Sequence, residues 1–144
     1  MNILDANLLI YAVNRDFPLH AKAKSWLEKS LDGVELVGFS WLAILAFVRL
    51  TTRPGLFQHR LSPEGAFDLV EEWLDQPSAR IVQPGPRHLS LLRGLLTPLG
   101  TAGNLTSDAH LAALAIEQDA QLCSGDNDFA RFPGLRWKNP LTGR

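Results

Sequence analysis

Asp5, Asp108, Asp126 and Asp128 are the side chains here whose type and placement best suit chemistry. Each has an ordinary structural explanation. Asp5 can end a strand and start a turn, and Asp108 in a first helical turn complements the helix dipole. Asp126 and Asp128 flank Asn127 after Gly125, a composition typical of turns. Gathered at one place, however, the carboxylates repel one another and raise each other's pKa values. A hard divalent cation such as Mg²⁺ or Mn²⁺ relieves that repulsion, and it prefers oxygen ligands while keeping several waters. Such an ion polarises a phosphodiester, lowers the pKa of an attacking water and stabilises the leaving oxyanion. The chemistry implied is metal-assisted phosphodiester hydrolysis.

Whether the acids meet depends on the elements that carry them. Short β-like runs alternate with amphipathic helices. Strands are expected at residues 2–4, 35–38, 80–82 and 121–124, with a fifth possible at 135–137. Helices are expected at 7–13, from Pro18 to a stop at Gly33, from a Ser40 cap toward Thr51, and from Ser62-Pro63 through Leu74. Two more follow at 89–99 and after a Ser107 cap. Strands separated by helices call for a mainly parallel sheet of four or five strands with helices on both faces, an α/β fold. Ligands in such folds bind beyond the carboxyl ends of the strands. Asp5 follows strand one, while Asp126 and Asp128 follow strand four.

The chain has 144 residues, 46% of them hydrophobic and 20% charged, which suits one packed domain and excludes a disordered regulator. No internal repeat, low-complexity tract or linker divides it, so a single domain over residues 1–144 is expected. The longest apolar run, from Leu42 to Val48, is far short of the roughly 20 residues a membrane helix needs. Asp5 interrupts the first apolar stretch, unlike a secretory leader. One cysteine, Cys123, permits no internal disulfide. A soluble, cytoplasmic protein is the expectation.

Net charge is only −1, but its distribution is uneven. No acid occurs between Leu36 and Pro63, where Arg49, Arg53, His59 and Arg60 lie, nor between Gln76 and Ser107. Local positive surface of this kind attracts a polyanion even on a near-neutral molecule. Arg49 and Arg53 are the candidates for contact with a nucleic-acid polyanion, or for reaching back to a carboxylate.

Three segments carry a family resemblance: Leu4-Asp5-Ala6-Asn7-Leu8-Leu9, Asp108-Ala109-His110-Leu111-Ala112-Ala113-Leu114-Ala115, and Ser124-Gly125-Asp126-Asn127-Asp128-Phe129. In this order and spacing they resemble the PIN domain. With residues 46–54 and 129–135 the whole chain is similar to the VapC toxins of VapBC toxin–antitoxin pairs. The resemblance implies a three-layer α/β/α fold and a Mg²⁺- or Mn²⁺-dependent endoribonuclease acting on structured RNA (transfer, ribosomal or messenger). It also implies a cognate VapB-type antitoxin that blocks the site. Asp5 and Asp108 then match the principal metal ligands, and Asp126 a further acid bound directly or through water. Asp128 anchors its loop or lies outside the direct ligands, and Asn7 can orient a bound water. Many PIN nucleases carry a glutamate where this chain has Ala46. An alternative is therefore a catalytically weak or inactive PIN scaffold that binds RNA or protein. A third reading, a small phosphatase with Asp5 as nucleophile, would require a covalent aspartyl-phosphate.

Other notable residues read as structure. Cys123 suits a buried strand, and His20, His59, His88 and His110 lack zinc-ligand spacing. His110 diverges from Asp108 on a helix and is expected at the surface. No Gly-x-Ser-x-Gly elbow or phosphate-cradling glycine loop occurs. The helices between Trp26 and Trp73 carry more apolar surface than a small monomer needs, which suits a homodimer and a groove for an antitoxin helix.

Overall fold

Alternation of apolar residues in short runs sends side chains to both faces of a sheet, so helices must cover each face. The computed structural model describes residues 1–143 and has this arrangement. Strands β1 (Asn2–Leu4), β2 (Val37–Ser40), β3 (Ala79–Val82), β4 (Gln121–Cys123) and β5 (Trp137–Lys138) form one sheet in the order β3-β2-β1-β4-β5. All four pairings are parallel. The helices are α1 (Ala6–Val13), α2 (His20–Asp32), α3 (Trp41–Thr52), α4 (Pro63–Leu74), α5 (His88–Leu96) and α6 (Thr106–Glu117).

Two hydrophobic cores sandwich the sheet. Leu4, Val37, Phe39, Ala79 and Cys123 face a core built from α1, α2, α3 and α4, including Leu9, Leu27, Phe47 and Trp73. Ile3, Val82 and Leu122 face the opposite core, made largely by α6 with Leu95, Phe129 and Phe132. The expected three layers are thus present, with five strands and no antiparallel pairing among the described residues. Among the described residues no helix is long and apolar enough to cross a membrane.

Several boundaries differ from the sequence reading. β2 runs to Ser40 and excludes Glu35, because Val37 to Ser40 find partners from Ala79 to Val82. Ser40 both ends the strand and caps α3, its hydroxyl accepting from the Ala43 amide at 3.1 Å. Ser62 caps α4 as expected. Ser107 does not cap α6: that helix already begins at Thr106, out of a 3₁₀ turn over Gly103–Leu105, and has no side-chain cap. Pro98 sits in a 3₁₀ turn, so α5 stops at Leu96 rather than Leu99. The second helix begins at His20, not Pro18, and β5 is displaced to Trp137–Lys138.

Candidate metal centre

The site grows from the β1–β4 pair. Leu4 is in register with Cys123, so the next residues, Asp5 and Ser124, leave the sheet side by side at its carboxyl edge. The Asp5 amide still donates to the Cys123 carbonyl at 2.9 Å. Asp5 then caps α1, one carboxylate oxygen accepting from the Ala6 amide at 2.8 Å. Its other oxygen accepts from the Ser124 hydroxyl at 2.7 Å. A carboxylate oxygen can accept more than one bond, so both retain lone pairs for a cation.

Ser124, wholly buried, is the hub of this edge. While donating to Asp5, its oxygen accepts from the Asp126 amide at 3.0 Å and from the Asn7 side-chain amide at 3.3 Å. Asn7 in turn accepts from the Gly125 amide at 3.2 Å. Asn7 therefore braces the loop after β4 and keeps one amide hydrogen for a water. Asp126 caps a 3₁₀ turn over Asn127–Arg131 through one oxygen, which accepts from the Asp128 amide at 2.9 Å. Asp128 holds Arg131 in an ion pair at 3.2 Å, while the Arg131 Nε donates to the Asp128 carbonyl.

Asp108 enters from the first turn of α6, half-buried. Its pKa is pushed up to about 6, first by burial and then by the charges of Asp5 and Asp126, with Arg131 opposing. Asp5 is also raised, by burial first and more weakly by Asp126, against the lowering hydrogen bonds from Ser124 and Ala6. Asp5, Asp108 and Asp126 thus share one electrostatic field. Their donor set is hard oxygen carrying unrelieved negative charge, which fits Mg²⁺ or Mn²⁺ and not a soft metal. Among the described residues, no group of three or more His, Cys, Asp or Glu side chains is placed to hold a metal ion. The donor chemistry suits Mg²⁺ held by few side chains, with water and phosphate completing its shell.

Arg49 and Arg53 are exposed, and among the described residues neither pairs with an acid. The arginine that acts on the carboxylates is Arg131, which the sequence reading did not single out. Ser124 was also missed as a site residue. Its signal was available, a hydroxyl at the last position of an expected strand, two residues before Asp126. Ala46 is half-buried and lines a groove of about 460 Å³ with Leu42, Leu45, Val48 and Arg49. His110 is not a surface residue. It is half-buried, with its Nδ1 2.9 Å from His88 Nε2 and the rings edge-to-face. Cys123 is buried as expected, and burial pushes its thiol pKa up to about 12, so it is inert.

Comparison with known proteins identifies the family and the fold. The family model described as PIN domain matches residues 3–135. Ribonuclease VapC37 of Mycobacterium tuberculosis is 49% identical over 140 residues, 97% of each chain. Ribonuclease VapC33 of the same species is 43% identical over 141 residues, covering 98% of this chain and 99% of its own. Among solved structures, VapBC2 from Rickettsia felis, bound to a promoter DNA fragment, superposes with a TM-score of 0.70 at 19% identity. That match covers 96% of this chain and 97% of the other, and it supports the fold.

Proposed function

We propose that this chain, which belongs to the PIN-domain family, is a Mg²⁺- or Mn²⁺-dependent endoribonuclease and the toxin half of a toxin–antitoxin pair. The observation that carries the reading is the shared field of Asp5, Asp108 and Asp126 at the carboxyl edge of β1 and β4. The names of its relatives supply RNA as the substrate class.

Bound there, the divalent ion would supply Lewis-acid polarisation of the scissile phosphate and a lowered pKa for an attacking water. Asp5 and Asp108 are the residues to hold it, with Asp126 ligating directly or through water. Ser124 fixes which way the Asp5 carboxylate faces. Asn7 locks the Gly125 loop against α1, and its side-chain amide has a second N–H available to orient a bound water. Asp128 keeps the Arg131 guanidinium beside the carboxylates, where it opposes their charge and that of an incoming phosphate. These groups position and balance charge, so most of the rate enhancement is electrostatic.

A cognate VapB-type antitoxin and a second copy of this chain are the proposed protein partners. The VapBC assemblies that share the fold support the first. Exposed apolar residues on α3, with Trp41 at 47% and Leu45 at 60%, support an interface. The lone buried thiol of Cys123 suits a reducing compartment such as the cytoplasm.

Ala46 favours a second reading, a PIN scaffold that binds RNA without cutting it, because the groove around it offers no carboxylate. One experiment separates the two. Purified, antitoxin-free protein is incubated with total RNA in Mg²⁺, in Mn²⁺ and in EDTA, beside Asp5→Ala, and new ends are sequenced. Discrete metal-dependent ends absent from Asp5→Ala establish the nuclease and reveal whether transfer, ribosomal or messenger RNA is cut. No ends with either metal establish the scaffold reading, and Ala46→Glu should then gain cleavage.

A further inference from the structure

Between α3 and α4, residues 53–62 carry three exposed basic side chains, Arg53, His59 and Arg60. The segment is hydrogen-bonded to the rest of the fold at its base and near its tip. At the base the Leu61 amide donates to the Thr51 carbonyl at 2.8 Å. Near the tip, Asp16 accepts from the Gln58 amide at 2.9 Å and lies 3.0 Å from His59 Nδ1. Asp16 itself is fixed by its own amide, which donates to the buried Asn14 at 2.8 Å.

A line of rings connects this arm to the carboxylate edge. Phe57 meets Phe17 edge-on at 5.5 Å, and Phe17 meets Tyr11 at 4.7 Å between ring centroids. Tyr11 lies on α1 four residues beyond Asn7, on the same helical face. Its ring is so close to the loop after β4 that a Cβ on Gly125 would sit 3.4 Å from it. The arm is therefore braced against the helix that begins at Asp5. Asp16, the acid bonded to the arm, spends its carboxylate on Gln58 and His59. Arg53 and Arg60, with the neighbouring exposed Arg15, make no ion pair among the described residues. Unpaired guanidinium groups carried on a tethered backbone suit phosphates, which guanidinium binds through two parallel hydrogen bonds.

We propose that residues 53–62 form a docking arm for the RNA backbone flanking the cut bond, with Asp16 as the latch that holds it in place. The inference rests on the nuclease reading for its substrate, but its test does not need turnover. A fluorescein-labelled hairpin RNA with single-stranded flanks is bound to the full chain in EDTA, and anisotropy is followed over a KCl series. The double variant Arg53→Ala/Arg60→Ala should bind about tenfold more weakly, and its log–log salt slope should be shallower by about 1.4, at roughly 0.7 per lost single-strand phosphate contact. Arg80→Ala/Arg93→Ala, which removes the same charge elsewhere, should bind as the wild type does. Asp16→Ala should weaken binding while leaving the number of arginines unchanged, a result that charge alone does not predict.

Equal affinity in the arm variant and the wild type would overturn the proposal, as would an equal loss in the Arg80/Arg93 control. Cleavage of the same RNA in Mg²⁺ then separates the two readings. In a working nuclease the arm variant should raise KM with kcat nearly unchanged. RNA that is bound through the arm but never cut would reject the nuclease reading and leave the arm standing.

Discussion

Ser124 and Asp5 lie 119 residues apart in the chain, yet the serine hydroxyl donates to the aspartate carboxylate at 2.7 Å. The parallel pairing of β1 and β4 makes this bond possible, since Leu4 and Cys123 are partners and the next residues emerge together. The same oxygen accepts from the Asp126 amide. One hydroxyl therefore ties the Asp5 carboxylate to the backbone of Asp126, from opposite ends of the sequence.

Ser124→Ala should leave the fold intact but free the Asp5 carboxylate to rotate. It also strips the Asp126 amide of its acceptor, which costs on the order of 1–3 kcal/mol where the group stays buried. Residues that orient metal ligands typically contribute about 10–100-fold to metal affinity or activity, so the Mg²⁺ concentration for half-maximal cleavage should rise by that order. Ser124→Thr, which keeps the hydroxyl, should recover most of the loss. A Mg²⁺ titration of cleavage by the three proteins checks this, and an unchanged midpoint in Ser124→Ala would refute it.

Asp108 makes the metal-free protein sensitive to pH in a defined direction. Its pKa is about 6 in the fold against 3.8 for the free side chain, so the folded state binds the proton more tightly. Its contribution is most favourable below 3.8, declines as pH rises, and has become a full cost above about 6. Asp108→Asn should therefore raise Tm in EDTA at pH 7.5 and bring little change near pH 4. Mg²⁺ should raise the Tm of the wild type more than that of the variant, because the ion relieves the same repulsion. Thermal melts at the two pH values, with and without Mg²⁺, test both statements.

Much of this arrangement was legible in the chain. Asp5 follows the short β-like run Asn2-Ile3-Leu4, Pro63 follows a serine cap, and Asp126 lies just past the run 121–124, so strand, helix and edge could be placed by local chemistry. What local chemistry could not place was anything decided by partners distant in sequence. The exact start of β2 depends on β3, and the start of α6 depends on the turn before it. Ser124 reads as the last residue of a strand until β1 is laid beside it. Arg49 and Arg53 were singled out for the acid-free stretch around them. Arg131 has more influence on Asp108 because the turn after Asp126 folds back.

Gly38 offers a test of sheet packing. A Cβ there would lie 2.7 Å from Val82 Cγ2 and 3.0 Å from Ile3 Cγ1, both in the core around α6. Gly38→Ala must push one of these branched side chains aside, an overpacking cost of about 1–3 kcal/mol. For a chain of this size that should lower Tm by roughly 4–10 °C. A melt within a degree of the wild type would mean the sheet yields at this point more easily than its packing implies.

The His88–His110 contact imposes a pH dependence opposite in sign to that of Asp108. Burial first, and then the neighbouring His88, lower the His110 pKa from 6.5, so the folded state favours its neutral ring. The unfolded chain then binds the proton more tightly, and stability present above 6.5 is lost as pH falls through the lowered value. The His88 Nε2 lies 2.9 Å from His110 Nδ1. Glu117 faces the same helix pair, where the Gly85 amide bond, first among several causes, holds its pKa below 4.5, so its own loss of stability falls in a lower window. In the metal-free wild type the Asp108 and His110 trends partly cancel. Asp108→Asn should expose the histidine slope, with Tm falling as pH drops from 7 to 5. His110→Gln, which retains a hydrogen-bonding group for His88, should expose the aspartate slope, with Tm rising over the same interval. Only the slopes matter, so a general loss of stability in either variant does not disturb the comparison. Parallel profiles for the two variants would show that neither group titrates as its surroundings require.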